Sequence, residues 1–188
     1  MKISKEKAAE NRQALIVAAA RLFKEKGIDG VGVAEISKAA GLTHGALYAH
    51  FASKDELAAE ALGYSAESAR EKLQAQARTL NELLDAYMSP AQRDNLGGGC
   101  AMAAAASEIA RQDAPVSARF TEGYLHMVRF AEKELLGKFP QQQARERAMA
   151  MVAAMIGGVA MSRSVQKADA GLADELLAAV RKVIGELA

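Results

Sequence analysis

The 188-residue chain has one cysteine, three prolines and no tryptophan, and only 5% of it is aromatic. The single cysteine, Cys100, excludes an intrachain disulfide framework and suits a reducing compartment. Runs in which Val, Ile, Thr and aromatics alternate with polar residues are missing, so the usual material of strands is absent. The best apolar run near the start, residues 14–20, is short and stopped by Arg21. It reads as neither secretory leader nor membrane span, so a cytoplasmic location without membrane attachment is expected. Catalytic signatures are also missing: there is no phosphate loop, HExxH, CxxC or Gly-x-Ser-x-Gly elbow, and Glu108 and Asp113 have no evident catalytic partner. An enzyme is therefore not expected, nor a cofactor. His126, a lone histidine, reads as solvated or hydrogen-bonded and not as a metal ligand.

Neither sign of charge dominates, with 24 Lys and Arg against 23 Asp and Glu, a net charge of +1. The distribution is less even. Residues 1–54 hold nine basic and five acidic side chains, a local excess of four positive charges. A basic end on a neutral chain fits a nucleic-acid-contacting head on a body with other work.

What is abundant is helix-forming material: alanine, with Leu, Glu, Lys, Gln and Met in most other positions, and 51% hydrophobic residues overall. An all-α fold of about nine helices follows, with a head over 1–53 and a helical body over 54–188. Leu15, Ile16, Ala19, Ala20 and Phe23 recur at three- and four-residue steps, predicting an amphipathic helix over 10–26 that Gly27 stops. A short helix over 33–40 buries Val33, Ile36 and Ala40. Gly41-Leu42 makes a turn, and Thr43 can cap a further short helix over 44–50. Ser53-Lys54-Asp55-Glu56 is a capping box, with Glu56 reaching back towards the Ser53 backbone, and opens a long helix into the 70s. Further helices are expected over 79–88, 100–112, 114–138, 141–164 and 172–187. Pro90, Pro115 and Pro140 fall at the joins, and 89–99, closed by three glycines, reads as loop.

Residues 33–51 spell a helix-turn-helix. Two short helices that cross steeply need small residues at the crossing, and Ala39, Ala40 and Gly41 supply them. Leu47 and Phe51, four apart, can hold the buried side of the second helix, leaving His44, Gly45, Ala46, Tyr48 and Ala49 towards a major groove. Small side chains at Gly45 and Ala46 allow close approach to base edges. Thr43, Tyr48, His50 and Lys54 are placed to bond phosphates. The plain alternative is a helical hairpin in a core, which does not usually pair a Thr cap with a polar, aromatic first turn.

On these residues the head resembles the DNA-binding domain of the TetR/AcrR family of bacterial repressors. The match runs through Phe23-x-x-x-Gly27, Val33-x-x-Ile36, Ala40-Gly41-Leu42-Thr43-x-Gly45-x-Leu47-Tyr48-x-His50-Phe51 and Ser53-Lys54-Asp55-Glu56-Leu57. The resemblance implies a homodimer on a palindromic DNA operator and a C-terminal domain that binds a small inducer. Three positions depart from the pattern: Gly32 replaces the usual Thr or Ser cap, Ser37 a common alanine, and Ala46 a frequent Thr.

The body gives weaker signals. Met102, Phe120, Tyr124, Met127 and Phe130 are candidate pocket-lining residues for an inducer, although flexible methionines also fill ordinary cores. Ala150, Ala154, Gly157, Gly158 and Met161 make a small-residue surface, and Leu176, Val180 and Ile184 a matching apolar face. Together they are expected at a homodimer interface, an intrachain contact being the alternative. Cys100 opens a helix after three glycines, where a dipole favours negative charge. A Gly-Cys there also resembles the branch of the family that includes electrophile-sensing repressors similar to NemR. Cys100 is therefore either a redox or electrophile sensor or a small buried helix-start residue. A DNA-binding architectural or partner-regulated protein without an inducer would share the head but have a filled body.

Overall fold

The computed structural model describes residues 4–76 and 79–188. Lys2, counted above in the basic end, lies outside them. In chain order the elements are α1 (Lys5–Lys26), α2 (Val33–Ala39), a 3-10 helix (His44–Ala49), α3 (Lys54–Gln76), α4 (Leu80–Tyr87), α5 (Pro90–Asp94), α6 (Ala101–Ile109), α7 (Ala114–Leu135), α8 (Gln141–Gln166) and α9 (Ala170–Glu186). The described residues are thus helical throughout, with α1, α2 and the 3-10 helix forming the head and α3 running from it into the body.

α1 begins five residues before the expected start, because Ser4 caps it by accepting the Lys7 N–H at 3.1 Å. Its apolar face, Leu15, Ile16, Ala19, Leu22 and Phe23, is buried. Gly27 ends the helix at φ +80°, donating its N–H to the Phe23 carbonyl, and Gly41 makes the α2 turn at φ +72°. Only glycine enters that region without strain. In α2 the buried pair is Ile36 and Ser37; Val33 and Ala40, expected inside, are only partly covered.

Two termini depart from expectation for a local reason. Thr43 stands at the N-cap of the 3-10 helix, but its side chain accepts no N–H; the main chain closes the turn instead, Ala46 donating to the Thr43 carbonyl at 3.0 Å. At α3, Ser53 accepts from the Glu56 N–H at 3.1 Å, while Glu56 Oε2 takes the N–H of Ala52 and not that of Ser53. His50 and Phe51 both donate to Leu47, so Ala52 is the next N–H in need of an acceptor. Residues 89–99 are not all loop either: Ser89 caps α5 by accepting from Gln92, and Pro90 stands in its first turn.

In the body α3 lies along α7, α7 packs on α8 and α8 on α9. Gly158 makes the last contact close: a Cβ there would sit 2.9 Å from Met88 Cε and 3.1 Å from Val180 Cγ1. Ser162, fully buried, donates to the Ala173 carbonyl at 2.8 Å. Arg93 of α5, 5% exposed, reaches Asp174 of α9 at 2.5 Å and Asp94 at 2.7 Å, and Arg163 of α8 donates to the Arg93 carbonyl. α8 is the one described helix long and apolar enough to cross a membrane. Its contacts with α5, α6, α7 and α9 mark it as the central helix of this body.

Ser37 is fully buried and its hydroxyl has no hydrogen-bond partner. An unsatisfied buried hydroxyl costs about 1–3 kcal/mol. Ser37→Ala is expected to stabilise the head by about 1 kcal/mol, read as a higher melting temperature; a lower one would show that the hydroxyl is bonded.

Candidate nucleic-acid interface

The six-residue 3-10 helix is held from below. Leu47 is fully buried and Phe51 is 2% exposed, as their four-residue spacing requires. Thr43, His44, Gly45, Tyr48 and Ala49 face outward; Ala46, His50 and Lys54 are half-buried. Tyr48 is 60% exposed, an unusual outlay of aromatic surface for a chain with four tyrosines. Gly45 has open space around its would-be Cβ, so close approach from outside meets no side chain of its own chain. The helix presents a polar ridge of His44, Tyr48 and His50 with small residues between, and Lys54 beyond its end. The arrangement suits phosphate bonding by the larger groups and close approach by the smaller ones.

Arg12, which the sequence reading passed over, fixes the far end of this ridge. Its guanidinium lies 4.8 Å over the Phe51 ring and ion-pairs with Glu60 of α3. A cation over an aromatic face adds about 0.5–1 kcal/mol at a partly exposed site. The two contacts tie α1, the end of the 3-10 helix and α3 into one unit.

A second junction joins head to body. Glu108 of α6 accepts the Ile28 N–H at 2.8 Å, and Gln112 donates to Asp29 at 3.0 Å. Gly27 is required here twice, by its φ and because a Cβ would collide with the Glu108 carboxylate. Glu108, which had no evident partner in the sequence, is thus a helix-to-turn clasp spanning 80 residues of chain. Beside it, Ala20, Phe23, Lys24, Ala61, Leu62 and Ala104 help to enclose a cavity of about 10 Å³. Cys100 stands half-buried at the N-cap of α6 and makes no side-chain cap. The buried Tyr87 hydroxyl lies against it, and burial pushes that phenol well above its ordinary pKa. Burial lowers the pKa of both Lys24 and Arg163 from their ordinary values.

The predicted pocket lining is not the lining of this cavity. Met102 is 3% exposed and fills a notch over Gly123, with Sδ and Cε 3.5 and 3.3 Å from a would-be Cβ there. Phe120, Tyr124, Met127 and Phe130 are half-buried against the core, Tyr124 donating to the Met149 carbonyl. The cavity lies instead between α1, α3 and α6 because alanines at 20, 61, 101, 104 and 105 leave room there. Among the expected dimer residues, Gly158, Val180 and Ile184 turn into the single chain: Val180, half-buried, packs over Gly158, and Ile184 is 1% exposed. Ala150, Ala154, Gly157, Met161 and Leu176 remain wholly or partly exposed. Among the described residues no three His, Cys, Asp or Glu come together as metal ligands.

Comparison with known proteins follows the same division. The family model described as bacterial regulatory proteins, tetR family, matches residues 15–61, and that of the transcriptional regulator LmrA/YxaF-like C-terminal domain matches residues 76–170. The HTH-type transcriptional regulator AcrR of Shigella flexneri is 44% identical over 57 residues, 30% of this chain and 26% of AcrR. Its curated relatives are thus matched over roughly a quarter of their own length. Among solved structures, a TetR transcriptional regulator of Chloroflexus aurantiacus superposes with a TM-score of 0.77 at 25% identity, covering 96% of each chain. Reduced E. coli NemR superposes at 0.72 with 16% identity, covering 92% of this chain and 95% of that one, a likeness of fold.

Removing the Glu108 carboxylate would leave the Ile28 N–H without its acceptor. Glu108→Ala should cost about 1–3 kcal/mol in chemical denaturation, and Glu108→Gln, which keeps an acceptor, clearly less. Equal losses would mean that the carboxylate does not hold the turn.

Proposed function

Because the chain belongs to the TetR family of bacterial regulatory proteins, we propose that it is a transcriptional repressor that binds a palindromic DNA operator as a homodimer and is released by a small molecule or an electrophile. The observation that carries the DNA-binding part is the ridge of exposed His44 and Tyr48 and half-buried His50 over a fully buried Leu47. Thr43, Tyr48, His50 and Lys54 bond phosphates, and His44 with Gly45 and Ala46 meets base edges.

Pairing is supported by what the monomer leaves uncovered. On α8, Ala150, Ala154, Gly157 and Met161 follow one another at steps of four, three and four. On α9, Leu172, Leu176, Ala179 and Val183 do the same. Met161, Leu172 and Val183 are 54%, 45% and 58% exposed, and nothing lies within 4 Å of a Cβ at Gly157. Two stripes at coiled-coil spacing on adjacent helices fit a four-helix contact with a second copy.

Release requires a ligand with different affinity for two states, and the Glu108–Ile28 clasp gives the body a handle on the head. A second reading has its own support. The cavity at this junction, about 10 Å³, is far below the roughly 300–1,000 Å³ of a drug-sized pocket. A filled body favours a DNA-binding architectural or partner-regulated protein without an inducer. Release of operator by quinones, aldehydes or hypochlorite that survives Cys100→Ser would remove the electrophile part of the first reading.

Selection of sites from random DNA by the purified protein tests the whole: one palindrome is expected, and no preferred sequence from folded protein would overturn it. On that site Lys54→Ala should weaken binding and flatten the salt slope by about one. Tyr48→Phe should cost about 1 kcal/mol on operator and random DNA alike, whereas His44→Ala should change base preference. Val183→Asp should turn the dimer into monomer by light scattering with helicity unchanged; an intact dimer would place the interface elsewhere.

A further inference from the structure

Between α4 and α6 the chain is fastened to the rest of the molecule by polar groups. The apolar side chains of residues 89–99, Pro90, Ala91 and Leu96, are all exposed, and the buried residue of the segment is Arg93. A stretch with so little apolar burial gains little from staying in place. Such stretches open at low cost while the core around them stays folded.

The fastenings run to three helices. Arg93 Nη1 donates to Asp174 of α9 at 2.5 Å. Arg163 of α8 donates through Nε and Nη2 to the carbonyls of Arg93 and Gln92, at 2.9 and 3.2 Å, and Gln166 of α8 donates to Asp94 at 2.8 Å. On the other side the segment rests on α1, where a Cβ at Gly97 would sit 2.5 Å from Glu25 Oε1 and 3.0 Å from Arg21 Cγ. The Asp174 and Asp94 side chains are 60% and 51% exposed, so water competes for both carboxylates. Three glycines then lead into Cys100, and glycine regains more backbone freedom on release than any other residue.

We propose that residues 89–99 are a strap that opens as a unit while α3, α7, α8 and α9 stay packed, and that its opening bares Cys100 at the start of α6. With the strap in place the thiol is half-buried, and the cavity beside α6, about 10 Å³, holds no more than a water. Release takes the Gly99 backbone away from Arg163, whose Nη2 lies 2.8 Å from a would-be Cβ there, and leaves the residue that follows open to solvent. The strap spans α1 of the head and α8 and α9 of the body, so its release also frees a contact between the two. Its opening stands without the repressor reading; only its use as the way in for an electrophile inducer rests on that reading.

Hydrogen exchange of the full-length protein without DNA tests the unit. The amides of Arg93, Asn95 and Leu96, which donate to the Ser89, Ala91 and Asp94 carbonyls, should exchange together and about a hundredfold faster than those of α8. Asp174→Ala should speed them by about tenfold more, and Gln166→Ala, which cuts a different tie, by about threefold. Both should leave α7 and α8 within about twofold. Glu132→Gln, which breaks the Arg145 pair near the opposite end of α8, should leave the strap at its wild-type rate. Because Cys100 is the one thiol of the chain, its alkylation by uncharged N-ethylmaleimide reports the baring. Asp174→Ala should react about tenfold faster and Glu132→Gln no faster. Strap amides as slow as those of α8, equal acceleration of α8 in both strap variants, acceleration by Glu132→Gln, or unchanged alkylation of Asp174→Ala each overturns the proposal. A failed operator selection would alter none of these rates, so the two readings fail separately.

Discussion

Six residues of 3-10 helix cannot hold themselves, so everything the head presents depends on the seating of Leu47 and Phe51. Helix nucleation is costly and short segments are marginal on their own. Burying two large side chains, each contributing about 1.5–3 kcal/mol, converts that segment into a rigid ridge. The Gly41 turn sets the angle at which the ridge arrives, and Arg12 clamps its far end against Glu60. Affinity for any long, stiff partner is then a property of the apolar floor as much as of the polar ridge above it.

The parts legible in the sequence are those whose cause is local. Gly41, the Leu47/Phe51 spacing and the Ser53 cap each act within four residues, so the head could be read from a short window. The long helices of the body followed from composition and periodicity, and the prolines marked their joins. What escaped notice was set by partners far along the chain. Glu108 gains its purpose only when α6 meets the turn after α1, and Arg12 only when Phe51 is folded beneath it. The aromatic spacing on α7 suggested a pocket, but alanines scattered over α1, α3 and α6, with no shared periodicity, left the space. α5 is not legible as a helix because five residues have no periodicity to show, although Ser89-Pro90 marks its start.

The buried hydroxyls of Ser37 and Tyr87 make an instructive contrast. Ser37 lies in the apolar floor of the head, where a hydroxyl has nothing to do and alanine would fit. Tyr87 lies against the Cys100 thiol at the start of α6. One is a local cost within a core; the other has a thiol beside it at the start of a helix. Burial alone does not tell them apart, and the surroundings do.

Gly157 and Gly158 are neighbours on α8 with opposite freedoms. At Gly158 the chain's own Met88 and Val180 occupy the space a side chain would need, whereas at Gly157 that space is open. Variation at 158 is therefore policed by the fold of each single molecule, and variation at 157 is not. A lineage duplicating this gene could enlarge residue 157 in one copy while both copies still fold. Where the α8–α9 face pairs two copies, as proposed, the two products would then differ in which chains they accept as partners, and paralogues in one cell could sort into separate assemblies before their DNA sites had diverged.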